Sequence, residues 1–194
     1  ETLGFDYLFP MRRKTRSVIN IGGDNVPVVI SDRFDGQTDV NVPFQPDYIY
    51  SGARLPQIKE KGSAYIVDEN IWTGEDNIYP AFNANSLSAD TELRAKLDSN
   101  NSPLKFLFVT YLMLTDAVVT CLKSHPEVVL ISQSNHQNRL GEHRALVHVL
   151  MNEGLDNPVV FFQHYFEDDT EAFQINSAAD MGGLVFDGLC DGVY

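Results

Sequence analysis

Eight polar side chains closely follow short apolar runs in this sequence, and they are the candidates for chemistry. If the apolar runs are parallel strands, their carboxyl ends meet at one edge of the sheet, where α/β proteins bind and convert ligands. Carboxylates, amides and imidazoles gathered there could hold a small polar ligand. Asp68 with His164 is the one acid–base pair to consider, although strand ends carry solvated polar residues in any α/β protein. The eight residues are Asp32, Asp68, Gln133, Asn135, His136, Gln163, His164 and Asp187.

No pattern in the sequence identifies a catalytic, cofactor-binding or metal-binding set. There is no nucleophile with a base and an orienting group, and Cys121 and Cys190 do not stand at zinc-ligand spacing. Cys121 falls on an apolar helical stripe, which predicts a buried thiol, whereas the context of Cys190 predicts a more exposed one. Gly22-Gly23 precedes a strand and is not followed by a helix, so it predicts a turn rather than a phosphate-binding loop.

A basic run stands out in the first part of the chain. Four of the fourteen basic residues lie within five positions, and they are Arg12, Arg13, Lys14 and Arg16. Such a cluster could contact a phosphate or an acidic partner surface, and contact with a neighbouring domain is the favoured functional interpretation. The alternative is a solvated connection whose charges pair with acidic residues of the same domain.

The charge balance limits the possible partners. The 194 residues include 27 acidic and 14 basic ones, for a formal net charge of −13. Bulk nucleic-acid binding is excluded as an interpretation because it needs clustered lysines and arginines that release counterions. No apolar run approaches the roughly 20 residues that cross a membrane. Two cysteines without a disulfide framework favour a reducing, cytoplasmic setting.

The second half of the chain, residues 101–194, alternates strands and helices. Apolar runs predict strands over residues 104–111, 128–132, 159–162 and 184–186. Helices are predicted over 113–123, over 139–153, and from a cap at Asp168 or Asp169 to an end at Gly182-Gly183. His143 and His148 fall on the second helix and are expected to be structural or solvent-exposed. This alternation is typical of parallel strands joined by right-handed crossovers.

The first half, residues 1–100, is looser and richer in strands. Strands are predicted over 26–30, 48–50 and 64–67, a helix over 90–97, and a long polar loop over 71–88, which contains Pro80. Seven parallel-type strands predict an incomplete or degraded TIM-barrel-like α/β domain, with an open doubly wound sheet as the alternative. The apolar start without Met and the stop just after a strand lead us to expect one domain, 1–194, within a longer polypeptide.

Two stretches resemble a known family. Residues 9–23, FPMRRKTRSVINIGG, resemble a segment of the three-domain form of 4-hydroxy-3-methylbut-2-en-1-yl diphosphate synthase. Residues 183–193, GLVFDGLCDGV, resemble the segment that ends the inserted middle domain of that family. The family usually has glycine where Cys190 stands, and this departure argues against a family role for the cysteine. The two matches bracket nearly the whole chain.

The resemblance implies a specific parent enzyme. That enzyme reductively opens 2-C-methyl-D-erythritol 2,4-cyclodiphosphate in the non-mevalonate isoprenoid pathway, with electrons from reduced ferredoxin or flavodoxin. Its N-terminal barrel binds the diphosphate, and its C-terminal domain carries a 4Fe-4S cluster on three cysteines and a glutamate. This chain would be the spacer between those two partner domains. It would hold no cofactor of its own, because two distant cysteines cannot supply three cluster ligands.

Two other functions stay open from the residues alone. The chain could be a small-ligand binding or regulatory barrel module that uses the polar strand-end residues. It could also be an independent barrel-type hydrolase or lyase that uses Asp68 and His164.

Overall fold

The computed structural model describes residues 11–32, 45–56, 61–84 and 90–194. Eight parallel strands form a closed barrel in the order in which they occur along the chain. The last strand pairs with both the first and the seventh, which closes the barrel and excludes the open doubly wound alternative. The predicted TIM-barrel-like α/β fold is therefore confirmed. The strands are β1 Val28–Asp32, β2 Tyr48–Gly52, β3 Ala64–Asp68, β4 Ile78–Asn83, β5 Lys105–Val109, β6 Val128–Gln133, β7 Val159–Phe162 and β8 Gly192–Val193.

Helices follow the strands mainly in the second half, as the sequence predicts. Three begin at side-chain caps, where Thr115, Asn138 and Asp169 accept hydrogen bonds from backbone N–H groups in the first turn. The helix predicted over 113–123 begins later, at Asp116, because residues Tyr111–Met113 form a 3-10 turn. The helices are α1 Asp90–Ser99, α2 Asp116–Ser124, α3 Arg139–Asn152, α4 Thr170–Ser177 and α5 Gly183–Phe186, and a π-helical turn, Ala178–Gly182, joins the last two.

The predicted loop over 71–88 is wrong, because it contains strand β4. Proline removes a backbone donor from a ladder, and Pro80 therefore argued against a strand there. Yet β4 pairs with β3 on one side and β5 on the other, and Ile78, Ala81 and Phe82 are buried. Apolar burial on both faces outweighs the missing donor.

The predicted strand over 184–186 is also wrong. Gly182 and Gly183 have φ of −57° and −61°, so the backbone continues as a helix through the glycine pair instead of ending there. Leu184 then lies on α5, buried under the helical layer. The closing strand is the two-residue β8, further along the chain.

The barrel has a filled interior and an outer core beneath its helices. Along β5, Phe106 and Phe108 belong to the interior cluster, while Leu107 and Val109 belong to the cluster under the helices. This alternation follows from the two-residue period of a strand. At the amino-terminal ends of the strands, Ile21 is fully buried in the interior cluster.

The first half covers its strands differently from the second. Residues 69–77, between β3 and β4, form turns rather than a helix. Trp72 packs there against a small cluster that includes Tyr65 and Ile78, and its indole nitrogen donates a hydrogen bond of 2.8 Å to the Ile78 carbonyl. One anchored side chain thus covers part of the barrel wall that a helix would cover in a regular β/α unit.

Candidate functional site

The carboxyl-terminal mouth of the barrel brings together two of the predicted strand-end residues, Asp32 and Asp68. They end β1 and β3, on either side of β2. The Tyr50 hydroxyl donates to Asp68 Oδ1 at 2.7 Å, and the Tyr194 side chain forms a hydrogen bond with Asp32. Burial, together with these negative neighbours, raises the pKa of both tyrosines, which therefore stay protonated donors.

Aromatic rings fill the same mouth. The rings of Tyr50 and Phe108 are 5.3 Å apart between centroids, those of Tyr50 and Tyr194 are 6.1 Å apart, and those of Phe162 and Tyr194 are 4.5 Å apart. All four side chains belong to the interior cluster or pack against it. These contacts fill the carboxyl-terminal end of the barrel interior.

The imidazoles and amides that follow β6 and β7 lie elsewhere on the rim. His136 is exposed in the loop before α3, where its Nδ1 accepts from the Asn138 N–H at 3.0 Å. His164 is exposed and its ring lies between those of Phe162 and Phe166, with centroid distances of 6.0 and 4.9 Å. Since β3 and β7 are opposite each other in the eight-stranded order, Asp68 and His164 lie on opposite sides of the barrel.

Of the remaining candidates, three lie at or just after strand ends and one, Asp187, follows a helix. Gln133 and Gln163 are partly buried at the ends of β6 and β7, and Asn135 is exposed. Asp187 does not follow a strand, contrary to the prediction, because residues 183–186 are helical. It is the C-cap residue that follows α5, and it pairs with Arg144 of α3 at 2.5 Å. Its charge ties two helices together.

A groove opens on the rim between the 3-10 turn and the start of α3. Tyr111, Leu112, His136, Asn138 and Glu142 line it, and its volume is about 410 Å³. His136 is the one predicted candidate among these lining residues. Glu142 is held in place by the Ser134 hydroxyl, which donates to it at 2.5 Å.

The basic run lies at the opposite end, the amino-terminal base of the barrel. Arg13 is only 7% exposed, and its guanidinium donates to the carbonyls of Leu155 at 2.7 Å and Asn157 at 3.1 Å. Arg16 pairs with Asp156 at 2.5 Å. Lys14 is exposed. Arg16 pairs with an acidic residue of the same domain, as the alternative interpretation has it, whereas Arg13 is buried on backbone carbonyls rather than solvated. Contact of the run with a neighbouring domain stays a prediction.

Asp191 is the centre of this base, and sequence reasoning missed it. Its carboxylate is buried and accepts from the Thr15 hydroxyl at 2.8 Å and the Val159 N–H at 3.0 Å, with Arg12 3.6 Å away. Burial raises the pKa of Asp191, and these donors together with the Arg13 charge oppose that rise. An aspartate inside the apolar closing segment was the available signal.

His143 is a structural residue, as expected. It lies on the buried face of α3, and its Nδ1 shares a hydrogen bond of 2.8 Å with the Ser132 hydroxyl on β6. Its Nε2 is buried without a hydrogen-bond partner. Burial lowers the pKa of His143 to about 4, which makes the imidazole neutral at pH 7.

The two cysteines do not fit an iron–sulfur cluster. Cys121 is buried, as predicted, but Cys190 is buried as well, so its predicted exposure is wrong. The Cys190 thiol donates to the Gly192 carbonyl at 2.9 Å, and burial raises its pKa to about 12. Cluster ligands are thiolates that face a shared metal site. Within the described ranges, no three His, Cys, Asp or Glu side chains are grouped as a metal site.

Within the described residues, the fold and the mouth define a parallel β/α barrel domain whose interior is filled by aromatic side chains at its carboxyl-terminal end. No helix in the described part of the chain has the length and apolar character to cross a membrane. No family model matches the sequence.

Comparison with curated proteins identifies the family. The chain is 60% identical over 190 residues to the 4-hydroxy-3-methylbut-2-en-1-yl diphosphate synthase (flavodoxin) of Bacteroides thetaiotaomicron. It is 56% identical over 191 residues to the synthase of Phocaeicola vulgatus and 38% identical over 190 residues to that of Parabacteroides distasonis. Each match covers 98% of this chain but only 30% of the relative. The chain belongs to this synthase family, as the resemblance implied, and spans about 30% of the length of these relatives.

Proposed function

We propose that this chain is a structural domain of a 4-hydroxy-3-methylbut-2-en-1-yl diphosphate synthase and does not itself carry the reaction. The observation that supports this is the barrel mouth. Barrel enzymes bind substrates at this end, but here Tyr50, Phe108, Phe162 and Tyr194 pack against one another across it. A domain retained for its shape needs a filled core more than an open pocket.

Electrostatics favour the same proposal. The product in the names of the relatives is a diphosphate, and diphosphates bind to arginines, lysines and helix N-termini. The described part of the mouth instead presents the carboxylates of Asp32 and Asp68, which repel an anion. At the base, the guanidinium of Arg13 is occupied by backbone carbonyls.

The finer parts of the proposal follow from the resemblance. The parent would reductively open 2-C-methyl-D-erythritol 2,4-cyclodiphosphate in isoprenoid biosynthesis, with electrons from flavodoxin or ferredoxin. Its 4Fe-4S cluster and its substrate-binding barrel would lie in domains on either side of this one. Because each match covers 30% of a relative, most of such a polypeptide would lie in those other domains.

The isolated 194-residue chain tests the proposal directly. Expressed alone, it is expected to be colourless and free of iron, and calorimetry with the cyclodiphosphate should give no binding heat. A brown sample that contains iron, or conversion of the cyclodiphosphate by this chain with a reduced flavodoxin, would overturn the proposal.

A second candidate is a small-ligand binding module, which the rim groove of about 410 Å³ favours. A thermal-shift screen of the isolated chain with isoprenoid diphosphates and other small polar metabolites tests it. A concentration-dependent rise in Tm that disappears in His136→Ala would support this function. Silence across the screen would count against it.

A further inference from the structure

Two large apolar side chains stand almost fully exposed at the carboxyl-terminal end of the barrel. Leu112, after β5, is 81% exposed, and Phe166, after β7, is 87% exposed. Tyr111 and Phe173 beside them are 39% and 45% exposed. We call these four residues the aromatic rim. Clustered apolar exposure of this kind marks interaction sites more often than isolated exposed residues do.

The aromatic rim is held in place by contacts within the domain. Phe166 packs on the His164 ring at 4.9 Å, and Phe173 packs edge-to-face on Tyr165 at 5.5 Å. The Tyr165 hydroxyl in turn donates to Asp180 at 3.1 Å. These side chains are therefore pre-organised, which reduces the ordering cost of binding a partner.

The two sides of the aromatic rim are connected. Arg139 lies over the Tyr165 ring, 5.7 Å from its centroid, and pairs with Asp180 at 3.0 Å. The residue before it, Asn138, lines the groove that Tyr111 and Leu112 border. Asn138 and Arg139 are consecutive at the start of α3, so they place the groove next to the Tyr165 ring on which Phe173 packs.

The border of this surface is acidic. Glu167, Asp168, Asp169 and Glu171 are all exposed between Phe166 and Phe173 in the chain. The adjacent Arg139 is already paired with Asp180. A complementary partner would have an apolar centre for the rings and basic residues around it.

We propose that the aromatic rim docks onto a basic-bordered apolar surface of another domain in the same polypeptide. Two observations favour this occupant: the chain accounts for only 30% of the length of its relatives, and helix α4, which carries Phe173, has no buried residue of its own. The inference rests on the proposed structural function and adds the surface through which the domain acts.

Hydrogen exchange in the full-length polypeptide and in the isolated chain tests the docking. Amides of residues 164–177 should exchange at least about tenfold more slowly in the full-length protein. The double variant Leu112→Ser with Phe166→Ser should remove that protection. Both side chains are already exposed, so the variant should keep its fold, which circular dichroism of the isolated chain verifies.

Matched controls lie elsewhere on the surface. Val26, at the base, is 83% exposed, and Phe186, at the end of α5, is 92% exposed. Val26→Ser and Phe186→Ser should leave the protection of residues 164–177 intact. Equal exchange at 164–177 in both proteins, or protection confined to the base or to α5, would overturn the proposal.

Light scattering on the isolated chain tests the other possible occupant of the rim, a second copy of the same chain. A doubled mass that Phe166→Ser returns to a monomer would show a second copy on the rim and would also overturn the inference. These readouts use no substrate, so their failure is distinct from failure of the proposed function, which would appear as binding or turnover by the isolated chain.

Discussion

The two ends of the barrel are built from different interactions. At the base, a buried carboxylate and a buried guanidinium are satisfied by long-range hydrogen bonds centred on Asp191 and Arg13. At the mouth, rings pack against one another, and the charged groups Asp32 and Asp68 accept from tyrosines. In barrel enzymes the base provides stability and the mouth provides chemistry. Among the described residues, these charged groups at both ends have partners inside the domain, as we expect of the structural domain proposed above.

The largest expected effect is at the base. Arg13→Met leaves the Leu155 and Asn157 carbonyls without their donor and removes a positive charge near the buried Asp191. Urea unfolding should show a loss of about 3–5 kcal/mol. The neighbouring exposed residue supplies the control, since Lys14→Met should change stability by less than about 0.5 kcal/mol. Equal effects at the two positions would mean that the base is not held by buried charges.

A second effect is a pH dependence of stability that comes from His143, on the buried face of α3. Because burial lowers the pKa of His143 to about 4, the unfolded chain binds a proton that the folded chain resists. The stabilisation is complete above the unfolded pKa of about 6.5 and is lost as pH falls toward 4, by up to about 3 kcal/mol. Unfolding of His143→Gln between pH 4 and 7 should show a flatter profile than the wild type. An unchanged slope would contradict the neutral imidazole.

A third prediction compares alanine substitutions at two glycines, Gly192 in the closing strand and Gly182 in the helical layer. A Cβ on Gly192 would lie 2.7 Å from Val28 Cγ2 and 2.8 Å from the Val28 carbonyl, whereas a Cβ on Gly182 has no neighbour within 4 Å. Gly192→Ala should therefore cost about 1–3 kcal/mol through overpacking. Gly182→Ala, in a helical backbone, should be neutral or stabilise by up to about 1 kcal/mol. The ranking, read from thermal unfolding, would be reversed if β8 did not close the barrel.

The smallest effect is at the mouth. Tyr50→Phe removes one half-buried hydrogen bond to Asp68 but keeps the ring contacts, so we expect a loss of about 1 kcal/mol. Tyr111→Phe, on the exposed rim, is the matched change and should stay within about 0.5 kcal/mol. A loss at Tyr50 as large as that of Arg13→Met would remove the distinction between the two ends.

The sequence was sufficient for the fold class but not for the details that close the barrel. Apolar runs gave β7 with its observed bounds, because a buried strand leaves a local pattern. Because of Pro80, β4 was predicted as a loop. The glycine pair at 182 and 183 predicted a helix end, but the helix continues through it. Local signals misled at these positions because tertiary packing decided the outcome.

The candidate site was predictable in its parts but not in its arrangement. Asp32 and Asp68 follow strands, which the sequence shows, but their tyrosine partners depend on strand order around the barrel. The base is harder still, since Thr15 and Asp191 meet across 176 positions of the chain. Contacts of that separation leave no trace in spacing or periodicity.

Turnover of the full-length synthase with a substituted mouth tests the account most directly. In Asp32→Asn with Asp68→Asn, the amide oxygens can still accept from Tyr194 and Tyr50, so the fold should persist, with an unchanged Tm in the isolated chain. We predict that kcat/KM for the cyclodiphosphate stays within about twofold of the wild type, well below the effect of removing a transition-state contact. A loss of tenfold or more in a folded protein would show that this mouth takes part in the reaction.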